Sequence, residues 1–140
     1  FVNEGRRYAV IHGGATAINR FLWPSSAEAE FVQEIDAIEG LIGPVGGVVC
    51  GHSGIAFQRM IGRYHWINTG AIGLPPHDGR PETRYAVMER GEVTFQRLSY
   101  DHDLAREKMD GAGLTQGYHT ALTTGIWPSE DVLPDALRRV

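Results

Sequence analysis

Two short apolar runs, Arg7 to Ile11 and Val48 to Cys50, each stop at a glycine-flanked histidine: His12-Gly13-Gly14 after the first and Gly51-His52 after the second. Runs of this length bounded by glycine read as strands. Between them lies one amphipathic segment, with Phe31, Ile35, Ile38 and Ile42 at helical spacing, Ser25 and Glu28 in the capping-box pattern, and Gly40 as a stop. Strand, single helix and strand form a βαβ unit, in which the strands lie parallel with both C-terminal ends on one side. His12 and His52 are therefore expected to meet at one edge of an α/β sheet.

Downstream, Ile55 to Ile61 and Tyr64 to Ile67 read as short strands around Gly62-Arg63, followed by a turn-rich loop from Asn68 to Pro81. Tyr85 to Met88 and Val93 to Leu98 flank Glu89-Arg90-Gly91-Glu92, a hairpin signal. Asp101 is placed to cap a helix through Met109 with Gly111 behind it, and Thr115 to cap another ending near Gly125. Trp127-Pro128-Ser129 opens a last short turn, and Trp23-Pro24 and Trp127-Pro128 are expected to pack together.

The 140 residues suit one domain, with positions 101–140 as a C-terminal helical extension. The formal charge of −4 argues against a Lys/Arg-rich track for nucleic acid. Cys50 is the sole cysteine, so no internal disulfide forms, and no stretch is long and apolar enough to span a bilayer. Together these lead to an expectation of a soluble, cytoplasmic protein. The start at Phe1, without Met and close to a strand, reads as internal to a longer chain.

The two histidines admit two chemistries. Neutral imidazole is a common metal ligand, and adjacent glycine lets backbone approach closely at a strand end. A lone histidine after a strand is more often structural, and the pairing is what raises the ligand reading. The rival is an esterase. Gly51-His52-Ser53-Gly54-Ile55 resembles a nucleophile elbow and His12-Gly13-Gly14 an oxyanion segment, with Ser53, Asp101 or Asp103, and His119 in triad order. Against it, the elbow requires a strand leading into a helix, whereas here a strand-like run follows, and Ile55 stands where the motif wants Gly.

Four motifs in order carry a resemblance: Val10-Ile11-His12-Gly13; Val49-Cys50-Gly51-His52-Ser53; the run Trp66-Ile67-Asn68-Thr69-Gly70-Ala71-Ile72-Gly73-Leu74-Pro75; and Arg84-Tyr85-Ala86-Val87. From about Tyr8 to Leu98 the chain resembles the C-terminal half of calcineurin-like metallophosphoesterases, and Tyr100-Asp101 with the tail resembles their bacterial branch. The resemblance implies the C-terminal half of a four-layer αββα sandwich. It implies hydrolysis of a small phosphomonoester or phosphodiester by a metal-activated water, with up to two divalent ions (Mn, Fe, Zn or Ni) in the complete protein. His12 and His52 would be ligands of one metal, Ser53 and Gly54 would shape the loop, and Asn68 would support it.

Two departures qualify this picture. Most members continue as Gly-His-x-His, but the fourth position here is Gly54, so a backbone carbonyl at Ser53 or a water is the expected substitute. The family's Asp-x-His, Gly-Asp and Gly-Asn-His segments are absent from these 140 residues. Without their carboxylates the chain alone is expected to be a poor catalyst that needs an N-terminal half. Gly54 also keeps open a non-catalytic module with the same fold. Arg80 and Arg84 are candidate phosphate contacts, whereas His65 and His77 are expected at the surface.

Overall fold

The structure, a computed structural model, describes residues 1–139. Its main sheet contains β1 (Val2–Asn3), β2 (Arg6–Val10), β3 (Gly47–Cys50), β4 (Phe57–Ile61) and β5 (Tyr64–Asn68) in the order β1-β2-β3-β5-β4. β2, β3 and β5 are mutually parallel, with Val10 opposite Val49 and Val49 opposite Ile67, while β1 and β4 run antiparallel to their neighbours. The crossover from β2 to β3 is α1 (Glu28–Ile42), as the βαβ pattern requires. Three strands therefore deliver their C-terminal ends to one edge. His12, His52 and Asn68 all lie there.

α1 buries Phe31, Ile35 and Ile38 against Ala9, Val48, Cys50 and Trp66 on one face of the sheet. Each of those aliphatic or aromatic side chains contributes about 1.5–3 kcal/mol by leaving water. The helix begins later than the Ser25/Glu28 pairing suggested. Ala27 is its N-cap, and its N–H donates to Glu30 Oε2 at 2.9 Å, while Ser26 Oγ accepts from Trp23 N at 3.0 Å. It also runs past Gly40 to Gly43, because Glu39 Oε1 accepts from Val45 N (3.0 Å) and ties the last turn to the approach to β3.

The opposite face carries Tyr8, Val49 and Ile67, covered by the hairpin of β6 (Thr83–Glu89) and β7 (Glu92–Leu98) through Ala86, Met88, Val93 and Phe95. Arg90 and Gly91, both with positive φ, form its two-residue turn. This hairpin forms a second, two-stranded sheet facing the first within the chain. α2 (His102–Gly111) is capped by Asp101, which accepts from Leu104 N at 3.0 Å. α3 (Tyr118–Thr124) starts after Gly117, not at Thr115, because Gly117 adopts the left-handed conformation that turns the chain into the helix. The tail closes with a 3₁₀ turn, Asp135–Leu137. Among the described residues no helix is long and apolar enough to cross a membrane.

Cys50 gives the core a chemical reporter. Burial pushes its thiol up to about 12, with the neighbouring Trp66 side chain acting weakly in the opposite sense. The thiolate is therefore negligible at pH 8 in the folded state. A disulfide-exchange reagent should leave Cys50 unlabelled in native buffer and label one thiol per chain in denaturant. Full native labelling would contradict the packing.

Candidate metal centre

His12 Nε2 and His52 Nδ1 face each other at 2.8 Å, with ring centroids 4.7 Å apart. Two backbone hydrogen bonds fix this approach from below: Gly51 N and His52 N both donate to His12 O at 3.0 Å. The pair follows directly from the parallel register, since β2 ends at Val10 and β3 at Cys50, and Ile11 N still donates to Val49 O at 3.0 Å.

The loop after His12 folds back on the site. A Cβ at Gly13 would lie 2.5 Å from Ile18 O, 2.8 Å from Arg20 O and 2.9 Å from His52 Cβ, so only glycine lets the three segments meet. Gly13→Ala should therefore cost about 1–3 kcal/mol by overpacking and move the His52 ring signals in an NMR spectrum. An unchanged melting temperature with unmoved ring signals would contradict this close approach.

The loop is anchored by a residue the sequence analysis missed. Glu34, fully buried on α1, accepts from Ala15 N at 2.6 Å and Thr16 N at 2.9 Å, receives the Thr16 hydroxyl on its other oxygen, and lies 3.1 Å from Arg20 Nε as an ion pair. Its sequence signal is a carboxylate inside the apolar stripe Phe31, Ile35, Ile38. Phe21, a few residues on, sits with its ring centroid 4.5 Å from that of His52.

Burial lowers the His52 pKa first, the charge of His12 second, and a backbone contact at Asn19 acts weakly in the opposite sense. Lowering favours neutral imidazole, the form that carries a lone pair for a metal. The two nitrogens hydrogen-bond each other at 2.8 Å, so one of them carries a proton; with that proton lost and a small opening of the pair, both lone pairs would face a shared cation, whose tetrahedral ligands at about 2.1 Å stand roughly 3.4 Å apart. The fit is partial. No group of three or more His, Cys, Asp or Glu suited to a metal occurs among the described residues, so the pair can form only part of a coordination sphere.

The other candidate residues divide. Asn68 is buried; its Nδ2 donates to Ser53 Oγ at 2.7 Å and its Oδ1 accepts from Gly70 N at 3.0 Å, locking the β5 loop to the His52 loop. Gly54 has φ +72, and a Cβ there would lie 3.2 Å from the Trp127 ring and 3.3 Å from Leu74. Arg80 is exposed, with its N–H donating to Asp78. Arg84 is held by Asp78 at 3.1 Å, and Asp78 also binds Arg97 at 3.0 Å.

His65 and His77 are buried, contrary to expectation, because each is fully used inside the fold. His65 Nε2 bonds Gln58 Oε1 at 2.7 Å, linking β5 to β4, and burial followed by the charge of Arg6 lowers its pKa. His77 joins Glu130 and Trp127. The esterase residues are not assembled. Ser53 is buried and bonded to Asn68, Asp101 caps α2, His119 Nε2 lies 3.9 Å from Asp110, and the segment after Ser53 enters strand β4, not a helix.

No family model and no curated protein matches the sequence. The fold does have solved counterparts. A metallophosphoesterase from Sphaerobacter thermophilus aligns with a TM-score of 0.65 at 20% identity, over 90% of this chain and 56% of that one. A hypothetical protein from Pyrococcus horikoshii aligns with a TM-score of 0.68 at 13% identity, over 87% of this chain and 48% of that one. The chain thus has an α/β metallophosphoesterase-like fold and spans about half the length of these structures.

Proposed function

We propose that the chain contributes His12 and His52 as two ligands of a divalent metal centre in a phosphoesterase, and that it corresponds to the C-terminal part of a calcineurin-like domain. One observation carries the reading: two imidazole nitrogens converge at 2.8 Å on the C-terminal edge of parallel strands, in a fold similar to that of a metallophosphoesterase. The metal, when bound, supplies Lewis-acid activation of a water and charge neutralisation at a phosphoryl oxygen. His12 and His52 hold it, Asn68 and Ser53 fix the loop beneath it, and Glu34 fixes the loop above.

The substrate is a small phosphomonoester or phosphodiester, and the remaining ligands, carboxylates above all, come from an N-terminal half that the site needs. Such a protein would work in the cytoplasm with Mn²⁺, Fe, Zn or Ni. The test is hydrolysis of bis(p-nitrophenyl) phosphate with added Mn²⁺, comparing these 140 residues with the protein at the full length of its structural counterparts. Turnover is expected only in the longer form. Metal-independent turnover, or stoichiometric labelling of Ser53 by a fluorophosphonate, would overturn the proposal in favour of an esterase.

A further inference from the structure

The C-terminal tail reaches the site by two routes. Trp127 fills the space beside Gly54, two residues beyond His52, so closely that a Cβ at 54 would lie 3.2 Å from its ring. Trp127 also shares an apolar cluster with Trp23 and Leu133, against which Phe21, Ile55 and Leu74 pack. Phe21 stacks on Trp23 with rings 5.4 Å apart and nearly coplanar, and its other neighbour is the His52 ring.

Trp127 is itself held at several points. Its Nε1 donates to Pro75 O at 2.6 Å and its backbone N–H to His77 Nδ1 at 2.9 Å. His77 Nε2 binds Glu130 Oε1 at 2.5 Å, and Arg139 closes the clasp, donating through Nε to His77 O at 2.6 Å and through its backbone N–H to Glu130 Oε1 at 2.8 Å. His77 keeps a positive φ of 57° that a non-glycine residue rarely adopts, a conformation this network maintains. Loop 74–78 and the tail are thus fastened together, and their shared apolar edge presses on the His52 loop.

We infer that Trp127 is a positioning residue for His52: the indole flanks the side-chain direction of position 54 and, through the cluster that holds Trp23 and Phe21, sets the His52 ring toward His12. Its consequence for metal affinity rests on the ligand reading above; the positional claim does not. A histidine at position 54 would set its Cβ 3.2 Å from the indole and 3.3 Å from Leu74, at a positive φ, so both neighbours would have to yield by a few tenths of an ångström.

The experiment records the imidazole ¹⁵N resonances of His12 and His52 and a Zn²⁺ titration for Trp127→Ala, Trp127→Phe and, as a control of comparable destabilisation in the hairpin cluster, Val93→Ala. Leu133→Ala, which thins the same tail cluster, serves if Trp127→Ala does not fold. Trp127→Ala or Leu133→Ala should shift the His52 resonances and weaken Zn²⁺ binding at least fivefold. Trp127→Phe should restore most of both, and Val93→Ala should lower the melting temperature with the resonances unmoved. His52 resonances that coincide with wild type in both tail variants would overturn the inference. Resonances that shift while no variant, nor wild type, binds Zn²⁺ would support the positional claim and sink the ligand reading alone.

Discussion

On the proposed ligand role, His52→Ala should reduce Mn²⁺-dependent phosphodiester hydrolysis, measured at the length of the structural counterparts, at least about 100-fold, since even residues that merely support metal ligands commonly cost 10–100-fold when removed. The same change should alter stability by no more than about 1 kcal/mol. His52 is only half-buried, so truncating its ring removes little buried surface. Activity and stability therefore separate at this position. Steady-state rates beside thermal melts make the comparison, and parallel losses in both would identify His52 as structural.

Glu34→Ala should have the opposite profile in the 140-residue chain, with a loss of stability of about 3 kcal/mol. Truncation strands two partly buried backbone N–H groups and the Arg20 guanidinium, and removing a buried carboxylate from such a network is costly. Arg20 is partly exposed, which keeps the figure at the lower end of that range. Glu34→Gln keeps one carbonyl oxygen for the loop and should lose about half as much. A urea midpoint unchanged in Glu34→Ala would show that the loop after His12 is not tied to α1. The stability of the loop matters to function because it is the segment that brings Phe21 onto His52.

The readable part of this architecture was that set by local pattern. Two apolar runs ending at Gly-flanked histidines, with one helical stripe between, dictated parallel strands and so the meeting of His12 with His52. The hairpin turn at Arg90-Gly91 was legible for the same reason, since its chemistry is confined to two residues. Helix starts were not. At α1 the expected Ser25/Glu28 pairing gave way to an N-cap at Ala27, whose N–H bonds Glu30 Oε2, while the Ser26 hydroxyl is taken by Trp23 N. At α3 it fell to the left-handed Gly117, which left Thr115 outside the helix.

The site's supporting residues were hidden for a different reason. Glu34 interacts with residues 15–20, and His77 with residues 127–139, so no window of neighbouring positions contains both partners. Burial of His65 and His77 likewise depends on partners distant in sequence or across strands, against the general tendency of a loop or edge histidine to face water. Gly54 shows the same limit. The sequence marks it as the place of an absent ligand, whereas the fold shows that Trp127 and Leu74 stand close against it.

The central claim is that His12 and His52 share one cation through the nitrogens that face each other. A Zn²⁺ titration of the ¹⁵N-labelled chain, read at the individual imidazole nitrogens, tests it most directly. The account predicts saturable shifts at His12 Nε2 and His52 Nδ1 together, at one ion per chain, with the signals of His65 and His77 unmoved. Shifts at a different pair of histidines, or at only one of these two, would contradict it.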